Sequence, residues 1–151
     1  MTEFRLPNDL TFNRGLVEDP ASYAKETGSA SWLFLIGEEF KSMPGGISYD
    51  QVQAAVPHSA NVISDPPREL TEDLARQHVE ALDALPRPTL ITCRTGPRAS
   101  AVAYMYAGLK QAANPDDVIA AAERDNAPFA TNASYKEWVR ASMAALGSEA
   151  K

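Results

Sequence analysis

The sequence predicts an α/β fold, a single three-layer domain built around a mostly parallel central sheet. Its 151 residues match the size of one ordinary domain, and 44% of them are hydrophobic, which is enough to bury a core. Short apolar runs of strand length alternate along the chain with segments of helical periodicity, the order typical of parallel sheets. No internal repeat or low-complexity linker interrupts this order, so we expect residues 1–151 to form one domain.

The first part of the chain predicts two helices and one deeply buried strand. Residues 1–15 have no clear period and indicate an irregular arm or a short edge strand. An aspartate followed by a proline opens a helix over residues 19–28, and a glycine ends it. Residues 31–36 form a continuous apolar run, which indicates a strand buried on both faces. A serine cap then predicts a helix over residues 48–55.

The middle of the chain predicts a short strand, a helix and a second buried strand. Residues 61–64 have strand composition, and the Asp-Pro-Pro sequence after them cannot continue a hydrogen-bonded ladder. Apolar side chains in residues 71–85 fall near one helical face, and prolines end this helix. Residues 89–92 indicate a third strand, which runs directly into Cys93.

The last third of the chain predicts helices over residues 99–110, 114–124 and 132–146. The first of these is apolar on most sides and is expected to be buried. The two histidines belong to no motif, and we expect His58 in a loop and His78 at a surface or half-buried position. The aromatic residues expected in the core are Trp32, Tyr104 and Tyr106.

Charge and composition argue against several classes of function. The net charge of −6 argues against a general affinity for nucleic acid or for an anionic membrane surface. The first ten residues do not resemble a signal peptide, and no window approaches the roughly 20 apolar residues of a membrane span. With one cysteine, Cys93, and two histidines, the chain lacks an internal disulfide and the four ligands of a structural zinc site. We expect a cytoplasmic protein that needs no metal and no organic cofactor.

The segment that carries chemistry runs from Cys93 to Arg98, between a predicted strand and a predicted helix. A helix N-terminus offers free backbone N–H groups and a partial positive charge. Gly96 allows the backbone to turn so that these groups converge on an anion. Arg98, together with Arg94, can grip a tetrahedral oxyanion through paired hydrogen bonds. The other residues assigned to substrate binding are Thr95, Pro97, Ala99 and Ser100.

The same electrostatic field favours the thiolate form of Cys93. Helix N-termini and nearby cations lower the pKa of a cysteine from about 8.5 to roughly 4–7. A thiolate beside an oxyanion site is a nucleophile toward phosphate, thiosulfate or a persulfide. A cysteine at a strand end can also be a small buried side chain, but such a cysteine gains nothing from the glycine and arginines beside it. We therefore assign Cys93 as the nucleophile and Arg98 as the oxyanion binder.

Two known loops are similar to this segment. Cys-Arg-Thr-Gly-Pro-Arg, residues 93–98, resembles the rhodanese loop Cys-Arg-x-Gly-x-Arg position by position. It is also similar to the protein tyrosine phosphatase loop, Cys-x-x-Gly-x-x-Arg, except that Ala99 stands where that loop has its arginine. The resemblance implies that the six-residue loop suits a sulfur substrate, whereas a seven-residue loop suits phosphate. Pro97 has no N–H group and so removes one donor from the cradle.

A wider resemblance covers roughly residues 10–130. The order of helices and strands is similar to that of a small family of phosphatase-fold proteins named as sulfur transferases, also found as the phosphatase-like domain of beta-lactamase hydrolase-like proteins. That family commonly has the loop Cys-Arg-Ser-Gly-x-Arg-Ser. Here Thr95 replaces the first serine and Ala99 the second, with Ser100 one position later. The resemblance implies a tyrosine-phosphatase-like fold that carries a rhodanese-like loop.

Asp65 is a further candidate, because it follows the predicted strand 61–64 and precedes two prolines. In the phosphatase fold an aspartate after an earlier strand acts as the general acid. The resemblance implies that Asp65 protonates a leaving group or positions a sulfur acceptor. The alternative is that Asp65 only starts a turn, as aspartate before proline often does.

Three functions follow from these residues, and the favoured one is sulfur transfer. Cys93 would take the outer sulfur of thiosulfate or of a persulfide donor, and an external thiol or cyanide-like acceptor would remove it, since there is no second cysteine. The second is a cysteine-dependent phosphatase that cleaves a phosphate ester through a phosphocysteine, with Asp65 as acid. The third is a silent module that holds an anion or a phosphorylated partner without turnover, which Pro97 and Ala99 favour.

Overall fold

The computed structural model describes residues 4–36, 47–64 and 69–149. Four strands form one sheet in the order β1-β4-β2-β3, and each pairing is parallel. The register places Leu33 of β2 between Ala60 of β3 and Ile91 of β4. The strands are β1 (Leu10–Phe12), β2 (Ser31–Phe34), β3 (His58–Asn61) and β4 (Thr89–Thr92).

Six α-helices and one 3-10 helix complete the described chain. One buried cluster joins α1 and α2 to one face of the sheet, and a larger cluster joins the other helices to the opposite face. This arrangement confirms the predicted three-layer α/β fold. The helices are α1 (Pro20–Thr27), α2 (Tyr49–Ala55), α3 (Glu72–Ala84), α4 (Pro97–Lys110), α5 (Pro115–Arg124) and α6 (Ala133–Glu149), with the 3-10 helix (Pro128–Thr131) before α6.

The predicted caps form the helix ends. The Asp19 carboxylate accepts the Ser22 N–H at 3.2 Å at the start of α1, and Gly28 ends this helix in the left-handed conformation, with φ of 64°. The Ser48 hydroxyl accepts the Gln51 N–H at 3.3 Å at the start of α2. Such caps satisfy N–H groups that have no partner within the helix, which is why the local sequence fixes these boundaries.

Strand β4 and helix α4 bring the predicted loop to the centre of the molecule. All four residues of β4 are buried, and most of α4 is buried as well. Because β4 lies between β1 and β2, its carboxyl end lies in the interior of the row formed by the carboxyl ends of the four parallel strands. Ligands of open α/β sheets bind at the carboxyl ends of the strands, so the fold positions residues 93–98 where a site is expected.

Several local predictions differ from the structure. The strand expected at 61–64 lies at His58–Asn61, so His58 begins a strand rather than occupying a loop. Residues 62 and 64 still donate backbone hydrogen bonds to the end of β2. The prediction of a surface or half-buried His78 is wrong, because its side chain is fully buried against Trp138. The core assignment of Trp32, Tyr104 and Tyr106 is confirmed.

Candidate active site

Cys93 follows the last residue of β4 and is 3% exposed. Its Sγ accepts hydrogen bonds from the N–H of Gly96 at 3.1 Å and from the N–H of Ala99 at 3.4 Å. Both donors belong to the start of α4, where backbone N–H groups have no helical partner. Hydrogen bonds to the charged form of a group stabilise that form. The loop therefore favours a thiolate on Cys93, because the positive ends of two N–H dipoles point at the sulfur.

Gly96 is the residue that makes this turn possible. Its φ is 118°, a conformation that residues with a side chain rarely adopt. A Cβ atom at this position would also clash with the backbone oxygen of Asn13. Pro97 follows as the first helical residue, where its missing N–H breaks no hydrogen bond within the helix, although it offers no donor to the cradle. The two N–H donors to Cys93 Sγ therefore come from Gly96, before Pro97, and from Ala99, after it.

Asn13 supports the loop from β1, and sequence reasoning missed it. Its Oδ1 accepts the Cys93 N–H at 3.2 Å, and its Nδ2 donates to the Cys93 carbonyl oxygen at 2.9 Å. Nδ2 also donates to the Gly15 carbonyl oxygen at 2.8 Å. The side chain is 1% exposed. A polar residue directly after a strand that ends at the same sheet edge was the only sequence signal for this role.

Arg98 extends from α4 toward α6. It is 4% exposed, and its Nε donates to the Tyr135 hydroxyl at 3.3 Å. The guanidinium lies 5.5 Å from the centroid of the Tyr135 ring, within the range of a cation–π contact. Tyr135 in turn lies at the start of α6, where its N–H donates to Asn132 Oδ1 at 3.1 Å. The direction of Arg98 is therefore set partly by a helix that is distant in the sequence.

His78 lies in the same region and is uncharged. Burial, with the nearby positive charge of Arg98 as the second cause, lowers the pKa of His78 to about 3. Its Nε2 is 3.0 Å from Ser64 Oγ. Since the Ser64 hydroxyl donates to the Val62 carbonyl oxygen at 3.1 Å, its oxygen is left to accept from His78 Nε2–H. Ser64 immediately precedes Asp65, which lies outside the described residues.

The remaining predicted binding residues occupy different environments. Thr95 is exposed, and Arg94 is partly buried. The Ser100 hydroxyl donates to the Pro97 carbonyl oxygen at 2.9 Å and accepts the Phe129 N–H at 3.2 Å, which ties α4 to the 3-10 helix. The structure thus places Cys93 Sγ within hydrogen-bond distance of two backbone N–H groups, those of Gly96 and Ala99. The hydroxyl of Ser100 is paired with backbone groups of Pro97 and Phe129. Their roles in substrate binding stay predictions.

The described residues offer neither a metal site nor a membrane-spanning helix. No group of three or more histidine, cysteine or carboxylate side chains could hold a metal ion in the part of the chain that the structure describes. Across residues 4–36, 47–64 and 69–149, no helix has both the length and the apolar character needed to cross a membrane.

Comparison with known proteins identifies the architecture. No protein-family model matches the sequence, and no curated protein matches it. The core catalytic domain of the PP-IP phosphatase SIW14 from S. cerevisiae, solved in complex with citrate, is similar with a TM-score of 0.65 at 15% identity, over 97% of this chain and 91% of that chain. PTPMT1 in complex with PI(5)P is similar with a TM-score of 0.63 at 13% identity, over 98% of each chain. The chain is a single α/β domain with a protein-tyrosine-phosphatase-like fold.

Proposed function

We propose that this chain is a cysteine-dependent phosphatase that hydrolyses a phosphate monoester through a Cys93 phosphocysteine. The observation that carries the proposal is the pair of N–H groups, from Gly96 and Ala99, that point at Cys93 Sγ. These donors stabilise a thiolate, and phosphate oxygens bind well at a helix N-terminus. The likeness to two solved structures supports this choice, since one is named a PP-IP phosphatase and the other is bound to PI(5)P.

The reaction needs two displacements at phosphorus. The Cys93 thiolate forms an S–P bond while the bond from phosphorus to the ester oxygen breaks, and the leaving oxygen takes a proton. Asp65 is the proposed donor of that proton. Water then attacks phosphorus and gives a proton to the Asp65 carboxylate, the S–P bond breaks with its electron pair returning to sulfur, and inorganic phosphate leaves. Arg98 is proposed to neutralise charge on the phosphate oxygens in both steps.

Sulfur transfer is the second candidate, because one observation favours it. The chain has four residues between Cys93 and Arg98, and Ala99 stands where a phosphatase loop has arginine. A smaller cradle suits the compact sulfane group of thiosulfate. In this reaction Cys93 thiolate bonds to the outer sulfur of thiosulfate, sulfite leaves with the electron pair of the broken S–S bond, and a thiol or cyanide acceptor then takes the sulfur from the persulfide.

Two assays on the same preparation separate these reactions. We expect phosphate release from an aryl phosphate by the wild-type protein, its abolition in Cys93→Ser, and a large decrease in Asp65→Asn. The intact mass after incubation with thiosulfate tests the second reaction, since a persulfide adds one sulfur atom to Cys93 and is absent in Cys93→Ser. A sulfur adduct with no phosphate release would overturn the phosphatase proposal and support sulfur transfer.

The proposed role of Arg98 is tested by comparing the same substitution at Arg98 and at Arg140. Arg98→Lys keeps the charge but loses the paired hydrogen bonds that a guanidinium makes with an oxyanion, so we expect a lower kcat/KM. Arg140→Lys makes the same change on α6, in an exposed ion pair with Asp116 of α5, and is expected to leave the rate unchanged. Equal rates in the two variants would remove Arg98 from the mechanism.

A further inference from the structure

The side chains of His78 and Ser64 form a buried pair beyond the carboxyl ends of β2 and β3. Both residues are fully buried, and His78 Nε2 lies 3.0 Å from Ser64 Oγ. Because water does not compete for a hydrogen bond at this depth, the bond holds both side chains in one arrangement. Neither residue belongs to the catalytic loop, so the pair has no part in forming the cradle around Cys93 Sγ.

Ser64 is fixed through both its backbone and its side chain. Its N–H donates to the Leu35 carbonyl oxygen at 3.0 Å, which continues the contact between the β3 and β2 segments beyond the ends of both strands. Its hydroxyl donates to the Val62 carbonyl oxygen at 3.1 Å and accepts from His78 Nε2–H. The chain is therefore held firmly at the residue that directly precedes Asp65 in the sequence.

His78 occupies its position at a cost in stability. With Nε2–H donated to Ser64, the Nδ1 atom of the neutral ring is an acceptor. This atom is buried, and it has no hydrogen-bond partner among the residues that the structure describes. A buried acceptor without a partner is unfavourable, and an apolar side chain at this position would avoid that cost. The hydrogen bond to Ser64 is therefore what the imidazole supplies and a leucine would not.

We propose that His78 is a positioning residue for protonation of the leaving group and that it acts through its hydrogen bond to Ser64. The inference rests on the proposed phosphatase reaction, in which Asp65 gives a proton to the ester oxygen while the bond from phosphorus to that oxygen breaks. General acid catalysis depends on the geometry of the donor, and a misplacement of about 1 Å can lower a rate roughly 100-fold. Fixing the residue directly before the acid reduces the freedom of the acid relative to the loop.

The dependence of the rate on the leaving group tests this role. Phenolate leaves poorly unless it is protonated, whereas 4-nitrophenolate is a much weaker base and needs a proton far less. The ratio of kcat/KM for phenyl phosphate to kcat/KM for 4-nitrophenyl phosphate therefore reports proton donation. We expect this ratio to fall roughly tenfold in His78→Leu and in Ser64→Ala. A loss of folded protein lowers both rates equally and leaves the ratio unchanged.

Two further variants test whether the hydrogen bond itself matters. His78→Gln keeps a side-chain N–H that can donate to Ser64, so we expect it to recover most of the ratio that His78→Leu loses. Ser59→Ala is the matched control, because Ser59 belongs to β3 and its hydroxyl also pairs with a side chain, 2.9 Å from the Tyr49 hydroxyl. We expect this control to keep the wild-type ratio.

The outcomes separate this inference from the proposed function. If Asp65→Asn lowered the ratio while either His78→Leu or Ser64→Ala kept it, the positioning role would be wrong and the phosphatase would stand. Equal falls in His78→Leu and His78→Gln, or in Ser64→Ala and Ser59→Ala, would also overturn the inference. An unchanged ratio in Asp65→Asn would remove the general acid and this inference with it. No phosphate release from either substrate by the wild-type protein would overturn the phosphatase proposal as a whole.

Discussion

The side chain of Asn13 forms hydrogen bonds with both backbone groups of Cys93, 80 positions away in the sequence. Through this pair, the residue that follows edge strand β1 holds the residue that follows the central strand β4. The backbone oxygen of Asn13 also lies against Gly96 so closely that only glycine fits there. The geometry of the thiolate cradle therefore depends on β1 as much as on the loop itself.

Replacing Asn13 by alanine is expected to cost about 3 kcal/mol of unfolding free energy, because it removes the two hydrogen bonds that its side chain makes with the buried backbone of Cys93. Denaturant unfolding measures this loss. Asn13→Asp is close to isosteric, but it loses the Nδ2 donor and adds a negative charge beside the thiolate, so we expect kcat/KM to fall about 100-fold.

Asn8→Asp is the control for the added charge, since Asn8 is exposed. We expect it to change neither stability nor rate by more than a small factor. If Asn13→Asp and Asn8→Asp had the same activity, the hydrogen bonds of Asn13 would have no role in positioning Cys93.

Gly96→Ala is expected to destabilise the protein by more than about 3 kcal/mol, because the new Cβ both meets the Asn13 oxygen and forces an unfavourable φ. Gly28→Ala separates these causes. Gly28 also has a positive φ, 64°, but its Cβ would contact nothing within 4 Å, so we expect a loss of only about 1 kcal/mol. Thermal unfolding compares the two variants, and equal losses would show that the contact with Asn13 carries no penalty.

Tyr135 is expected to act as a positioning residue for Arg98. Tyr135→Phe keeps the ring under the guanidinium but loses the hydroxyl that accepts from Arg98 Nε, so we expect KM for an anionic substrate to rise severalfold with little change in kcat. Tyr135→Leu loses both contacts and is expected to raise KM further. Steady-state kinetics measures both parameters.

Tyr49→Phe is the control for loss of a tyrosine hydroxyl. Tyr49 lies on α2, on the other face of the sheet, and its hydroxyl is 2.9 Å from Ser59 Oγ. We expect unchanged KM in this variant. A rise in KM of the same size in Tyr49→Phe and Tyr135→Phe would indicate a general effect on stability rather than a role at Arg98.

The parts that the sequence predicted well are those that neighbouring residues determine. The apolar run of β4, Gly96 and the apolar helix that follows are contiguous, so their pattern alone indicated strand, turn and helix. The same is true of the caps Asp19 and Ser48, whose partners lie three residues away. The predicted bounds of β3, 61–64, were wrong by three residues, because the strand His58–Asn61 is determined by pairing with β2 rather than by its own composition.

The parts that the sequence did not predict depend on contacts between distant residues. Asn13 has no local motif, and its role follows from where β1 ends relative to β4. The orientation of Arg98 depends on Tyr135, 37 positions later. The burial of His78 depends on Trp138 of α6 and on Ser64. His78 stands four residues after Leu74 and four before Leu82, so helical spacing alone places it on the buried face of α3, and this signal was missed.

His78 gives the protein a pH dependence of stability whose sign follows from its environment. Burial lowers the pKa of His78 to about 3 in the folded protein, whereas a histidine in an unfolded chain has a pKa of about 6.5. Between these values the unfolded chain binds a proton that the folded protein does not bind. Stability is therefore lost as the pH falls below about 6.5, by about 1.4 kcal/mol for each pH unit.

His78→Gln removes this titration and keeps a side-chain N–H that can donate to Ser64, so its unfolding free energy is expected to fall less steeply than that of the wild type between pH 6 and pH 4. Denaturant unfolding at a series of pH values gives the difference between the two slopes, in which the contributions of the carboxylates cancel. His58→Gln, a change at an exposed histidine, is expected to keep the wild-type slope. Equal slopes for the wild type and His78→Gln would mean that the buried imidazole accepts its proton within the folded protein, and the neutral assignment of His78 beside Arg98 would then be wrong.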